Sequence, residues 1–225
     1  MTHEQLIKEV RTLYLNARNI TAFPIFNDQI NSTVQRCTSH SISSEFEDLV
    51  AQYCCELVND PSVKIYIDPQ MKFPELLSKN KSGKKALIYR PDIILVKGEE
   101  IVAMIDAKTD LGFKKNNYLS YFQDVNGIIN NIAGQKSAFK VSTEGETLTV
   151  SISKHVNLIF FVAAHKYFTK KKYIKEKEIE NLERIKVFFL SKGGGAHLNN
   201  YKNEEAILNV ESMNAFDSYI RDTIR

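Results

Sequence analysis

The chain has 225 residues, 43% of them hydrophobic and 25% charged, with a formal net charge of +3. That is enough apolar residue for a substantial core, in one large domain or two small ones, and too little net charge to announce a polyanionic partner by itself. Three cysteines (Cys37, Cys54, Cys55) form no framework, no apolar leader opens the chain, and the longest apolar run, 156–164, is interrupted by Asn157 and too short for a bilayer span, so a reduced, cytoplasmic, membrane-free protein is expected.

Leu6, Ile7, Val10, Leu13 and Tyr14 recur at helical spacing and predict an amphipathic helix over 2–18. Residues 19–41 are mixed and polar, a loop or short helix. A second helix is predicted from the hydroxyl-rich Ser41–Ser44, with Ile42, Phe46, Leu49, Val50, Tyr53, Cys54 and Leu57 on one stripe, ending at Asn59-Asp60-Pro61. Residues 63–67 read as a strand and 78–85 as a basic, glycine-containing loop. Two strands, 86–97 and 101–108, are expected to form a hairpin around Gly98. A helix over 117–132, ended by Gly134, precedes a hairpin of 138–143 and 147–153. Residues 156–163 form a continuous apolar run, as in a strand covered on both faces. A charged helix over 170–184, a buried strand over 185–190, a flexible Gly193-Gly194-Gly195 and a closing helix over 209–224 complete a single mixed α/β domain, 1–225, with its core in about 42–192.

The chemistry concentrates in the central hairpin, Arg90-Pro91-Asp92 to Asp106-Ala107-Lys108. Strand side chains alternate, so Asp106 and Lys108 share a face. If Lys97 pairs with Ile101, Asp92 falls opposite Asp106 and Arg90 opposite Lys108. Opposed carboxylates on otherwise apolar strands repel, and a hard divalent cation is the natural remedy. Oxygen-only ligation without a His/Cys cluster favours Mg²⁺, Mn²⁺ or Ca²⁺ over zinc, and Mg²⁺ commonly uses one or two carboxylates plus substrate phosphates. A lysine beside them can neutralise a phosphate oxygen, or orient and help deprotonate an attacking water.

Pro91-Asp92, followed by Asp106-Ala107-Lys108, resembles the PD-(D/E)xK motif of restriction-endonuclease-like nucleases. The family's helix–strand–strand–strand–helix–strand core is similar to the order read over 42–163. The resemblance implies a restriction-endonuclease-like mixed β-sheet flanked by helices. It also implies that Asp92, Asp106 and the Ala107 carbonyl hold Mg²⁺ (Mn²⁺ substituting) while Lys108 places the nucleophilic water. The family often adds a glutamate from the preceding helix; here Glu47 is favoured, in a Phe-Glu-x-Leu-Val arrangement, with Glu45 next to it as the alternative. The activity implied is a metal-dependent endonuclease acting on double-stranded DNA, most plausibly a sequence-specific type II restriction enzyme working as a homodimer. With no P-loop in the chain, no ATP is expected. Alternatives are a repair, recombination or phage-defence nuclease of the same fold, or a nuclease-like domain that binds nucleic acid without cutting.

Phosphate contacts are expected from one of several basic segments: Lys114 and Lys115, the four lysines of 79–85, or Lys166 to Lys175 with its interleaved aromatics. The stretch 193–201 either lets backbone approach the duplex, with Asn199 and Asn200 reading adenine edges, or is a mobile turn. The five histidines have no metal-ligand spacing. Tyr121 and Gln123 can face the site, but Leu119 and Phe122 mark the clearer core stripe of their helix.

Overall fold

A computed structural model describes residues 1–19, 42–80, 83–109, 118–141, 145–164, 179, 181–192 and 207–225. Along the chain these form α1 (His3–Asn19), α2 (Ser43–Val58), β1 (Val63–Ile67), β2 (Met71–Asn80), β3 (Gly83–Tyr89), β4 (Ile93–Lys97) and β5 (Glu100–Lys108). They continue with α3 (Tyr118–Ile132), β6 (Lys136–Lys140), β7 (Thr147–Ile152), β8 (Leu158–Ala164), β9 (Ile185–Lys192), β10 (Ile207–Leu208) and α4 (Val210–Thr223). The expected mixed α/β class is observed: one mixed sheet with helices on both faces.

The sheet branches at β5. On one edge β5 pairs antiparallel with β4, which pairs antiparallel with β1; on the other it pairs parallel with β7 near its start and with β8 toward its end. From β8 the sheet continues to β9 (parallel) and β10 (antiparallel), and from β7 through β6 and β2 to β3. Strand alternation sends Ile93, Leu95, Ala103, Ile105, Ile159 and Phe161 into one core with α1, α2 and α4. Ile94, Met104, Leu158, Phe160 and Val162 enter a second core with Phe122, Ile129 and Ile132 of α3. Residues 158–163 are fully buried, as the unbroken apolar run requires of a strand packed on both faces.

The helices match their apolar periodicity. α1 buries Leu6, Val10 and Tyr14, and α2 buries Phe46, Val50, Tyr53, Cys54 and Leu57. The cap of α2 differs from expectation: Ile42, not a serine, is the N-cap, and it makes no side-chain capping hydrogen bond. Its end follows the sequence, with Asn59 in the left-handed region (φ 46) donating its N–H to Cys55 O just before Pro61. Gly134 follows α3 with φ +77, and Asn209 caps α4 by accepting from Ser212 N. Phe216 fixes α4 to the sheet through an edge-on contact with Phe161, ring centroids 4.8 Å apart. No described helix is long and apolar enough to cross a membrane.

Two expectations about the hairpin need correction. Residues 86–97 are not one strand. Residues 83–89 pair back on β2 as a separate ribbon, and the chain changes partner at Arg90-Pro91-Asp92 before β4 begins. Pro91, which has no N–H to give a ladder, sits at this crossing. The stretch expected to be a basic loop, 78–85, is thus mostly ribbon. The turn register also differs, since Lys97 pairs with Glu100, not Ile101, around the two-residue loop Gly98-Glu99. Gly98 has φ +62 at the first loop position, as a type II′ turn demands. A bulge at Val102 then adds one residue to β5, and from Leu95↔Ala103 to Ile93↔Ile105 the anticipated register is restored. Arg90 lies outside this ladder and is exposed. Of the helix predicted over 170–184, residues 170–178 and 180 lie outside the described residues, and 181–184 form a turn.

Candidate metal centre and active site

The site forms where three chain segments end together. β4 starts just after Asp92, β5 finishes with Asp106 and Lys108, and the first turns of α2 lie over the same end of the sheet. Asp106 and Lys108 follow Met104 on the α3 face, as alternation requires. The Asp92 carboxylate is held by two donors on one oxygen: Lys108 Nζ donates to Oδ2 at 2.6 Å and Ala107 N at 2.9 Å. Asp92 N in turn donates to Asp106 Oδ1 at 3.4 Å. Lys108 Nζ also lies 3.8 Å from Asp106 Oδ2, so one ammonium bridges both aspartates. In an extended strand the N–H and C=O of one residue face the same edge, so the Ala107 carbonyl is directed toward the Asp92 side.

Of the two helix acids, Glu47 is the one beside the aspartates. Its carboxylate groups with those of Asp68 and Asp92, one oxygen from each lying within 4.8 Å of the others. Glu45 is exposed and accepts from Ser44 Oγ. Helical geometry explains the difference: Glu47 precedes Val50 and Ala51 by three and four residues, both buried, which turns it toward the sheet.

Asp68 was not singled out from the sequence. It follows β1 directly, adopts φ 53, and donates its N–H to Asp92 O at 2.7 Å, which ties the end of β1 to the start of β4. The available signal was an acid closing an apolar strand before Pro69, the same logic that marked Asp106. Two tyrosines were also passed over as site residues. Burial, then the field of Asp106, raises the hydroxyl pKa of both Tyr89 and Tyr121, so both hydroxyls lie within reach of that carboxylate's field. Tyr121 therefore faces the site while its neighbour Phe122 fills the core; Gln123 is exposed.

Electrostatics mark the centre as short of positive charge. Burial, then repulsion from Asp92 and Asp68, pushes Glu47 up to about 7 despite the opposing pull of Lys108. Asp106, only 8% exposed, is pushed up to about 6 chiefly by burial, with Asp92 adding to it and Lys108 opposing. For Lys108, burial alone acts downward, but Asp106, Asp92 and the hydrogen bond to Asp92 outweigh it and raise its pKa. Lys108 is therefore an ammonium at neutral pH. Four carboxylates against one ammonium, among the described residues, suit a hard divalent cation. One oxygen each of Glu47, Asp68 and Asp92 lies near enough to the other two for all three to be drawn onto a single hard cation.

Lys114, Lys115, Lys166 to Lys175 and 193–201 lie outside the described residues. His3 is engaged with Asp217 Oδ2 at 2.9 Å, and His155 is exposed. No protein-family model matches the chain, and no curated protein matches it.

Proposed function

We propose that this protein is a Mg²⁺-dependent endonuclease that hydrolyses DNA phosphodiester bonds, with a restriction-endonuclease-like core. The observation that carries the reading is the convergence of Asp92, Asp106, Lys108 and Glu47 at one end of the sheet, with the lysine bridging both aspartates. The order α2-β1-β4-β5-α3-β8 supports it, being helix–strand–strand–strand–helix–strand once the β2–β3 and β6–β7 ribbons are set aside.

In this reading Asp92, Asp106 and the Ala107 carbonyl hold the cation, with Glu47 and Asp68 closing the acidic side. A divalent ion supplies Lewis-acid stabilisation of the phosphoryl oxygens and lowers the pKa of water. Lys108, being an ammonium, acts by donating: it orients the nucleophilic water and screens charge that develops on phosphorus-bound oxygen. The Ala107 N–H fixes the Asp92 carboxylate, so this ligand is oriented before substrate arrives. Cutting both strands needs two such centres, so a sequence-specific, type II restriction activity from a homodimer is the specific form proposed.

The test is plasmid DNA incubated with the purified chain in Mg²⁺ or EDTA, alongside Asp106→Ala and Lys108→Ala. Discrete fragments from the wild type, absent with EDTA and in both variants, are expected. A smear or end-laddering would replace the restriction reading with a repair- or defence-type nuclease. No cleavage with any divalent metal, together with retained DNA binding, would leave a non-cleaving domain.

A further inference from the structure

The layer built by β3, β2, β6 and β7 turns one face into the core shared with α3, through Met71, Phe73, Leu87, Phe139 and Val150. Its other face is open to solvent. Directly opposed residues share a face, so the register Ile88↔Lys72↔Ala138↔Thr149 sets these four in one row on the outer side. Alternation adds Lys136 and Lys140 of β6 and Thr147 of β7 to that side, all exposed. From the inner side, Ser137 Oγ donates to Lys72 O at 3.1 Å and ties β6 to β2 at the centre of the row.

This outer face collects charge of one sign. Lys136 and Lys140 are the two diagonal neighbours of Lys72, each about 7–8 Å away across the ladder. That lies within the screening length of about 8 Å at physiological salt, so the three ammoniums repel one another. Nothing beside them offsets the repulsion. Among the described residues none of the three pairs with an acid. Glu75 stands in the irregular stretch of β2 between Phe73 and Leu77, and Glu100, in register beyond Ser151, is itself opposite Lys97. Ile88, opposite Lys72, leaves 47% of its surface in solvent, where an apolar side chain gains nothing. Unpaired cations with threonine hydroxyls and an uncovered apolar side chain among them complement a sugar–phosphate backbone, whose oxygens accept from lysine and threonine alike. The face also runs into the candidate centre: the chain passes from Ile88 through the exposed Arg90 to Asp92.

We infer that the outer face of the β3–β2–β6–β7 layer is a duplex-DNA binding surface, with Lys72, Lys136 and Lys140 holding phosphates of the DNA that runs on from the candidate centre. The inference rests on the deoxyribonuclease reading and assigns that activity its binding surface. Four residues, at most about 14 Å of chain, lead from Ile88 to Asp92. The nearest phosphates on the face therefore lie about four base steps from the one at the centre, at about 3.4 Å per step.

The experiment measures binding of a labelled mixed-sequence DNA duplex by the full chain in Ca²⁺, between about 50 and 200 mM salt. It compares the wild type with Lys72→Ser/Lys136→Ser/Lys140→Ser, with the same three positions changed to Arg, and with Lys72→Ser alone. Lys64→Ser, at an exposed lysine of β1 outside this face, controls for net charge. Each lost phosphate contact flattens the slope of log affinity against log salt by about 0.9. The expected change is about 2.7 for the triple serine variant, about 0.9 for Lys72→Ser, and none for Lys64→Ser or the arginine variant. Across this range the wild type should thus lose about 40-fold more affinity than the triple serine variant. Slopes of the triple serine and Lys72→Ser variants that match those of Lys64→Ser, with the wild type binding and cutting DNA, overturn the surface and leave the nuclease reading standing. If those slopes stay unchanged while binding to phosphatidylserine vesicles is lost in the triple serine variant, the face belongs to a membrane and not to DNA. A wild type that neither binds nor cuts DNA overturns both readings.

Discussion

Replacing Asp106 by asparagine should make the metal-free protein more stable while abolishing the proposed DNA cleavage. Asp106 is 8% exposed and its carboxyl titrates at about 6 against an ordinary 3.8, with burial as the leading cause. Holding a carboxyl about two pH units above its ordinary value disfavours its ionised form in the fold by about 3 kcal/mol. The folded-state value lies above the unfolded one, so the stabilising effect of the protonated group is complete below about pH 4 and lost as pH rises through about 6. At about pH 8 the wild type bears the full cost, which the Asp106→Asn variant avoids; Lys108 keeps its 2.6 Å bond to Asp92 in either case. Allowing for relaxation, a gain of about 1–3 kcal/mol is expected at this pH, shrinking by about half near pH 5. In a chain of this size it appears as a Tm rise of about 3–10 °C in EDTA. Calorimetry in EDTA and in Mg²⁺, at both pH values, reads all of this, and added Mg²⁺ should raise the wild type toward or past the variant. A variant less stable than wild type in EDTA at about pH 8, or a gap that widens on acidification, would refute the argument that Asp106 is strained by uncompensated charge.

Further outcomes follow from other residues. Glu47 titrates at about 7 and must lose its proton to bind a cation, so Mg²⁺ affinity measured by calorimetry should rise up to about tenfold per pH unit below that value and level off above it, with Glu47→Gln weaker and flatter. Phe216 is fully buried against Phe161 and Phe188, so Phe216→Ala should cost about 3–5 kcal/mol in chemical denaturation with little effect on metal affinity. Gly134→Ala combines φ +77 with an approach of 3.3 Å to Lys154 Cγ, and should lower stability by about 1 kcal/mol or more in the same assay.

Local pattern reached some features of this molecule and not others. The stripes of α1 and α2, the α3 stop at Gly134 and the covered strand β8 follow from hydrophobic period and backbone chemistry, which act within a few residues. The meeting of Asp92 with Asp106 was also legible, although the turn register that suggested it is off by one and is repaired by the bulge at Val102. What stayed hidden needed partners distant in sequence. Residues 86–89 read as the start of β4 because both stretches are apolar, and only pairing with β2 separates them. Asp68 looked like an ordinary strand-ending acid, because its role depends on a hydrogen bond to a residue 24 positions later. Tyr121 and Phe122 are equally apolar neighbours, and only the packed sheet decides which enters the core.

The bulge at Val102 has a consequence for how this hairpin can vary. Below it, Val102 and Ala103 both pack toward the α1, α2 and α4 side, while Ile101 packs on the other. Removing that one residue with the turn unchanged closes the ladder, because Ala103 then follows Ile101 opposite Leu95 on the face it already holds. Keeping it but pairing it with Leu95 instead slides everything after it by one place along β4 and reverses every side chain. Ile105 would then stand opposite Asp92, and the Asp106 carboxylate would be driven into the apolar layer beneath α2. The unpaired state of Val102, more than the length of β5, therefore keeps the acid pair together: a varying version of this hairpin can lose that residue or bulge it, but cannot pair it.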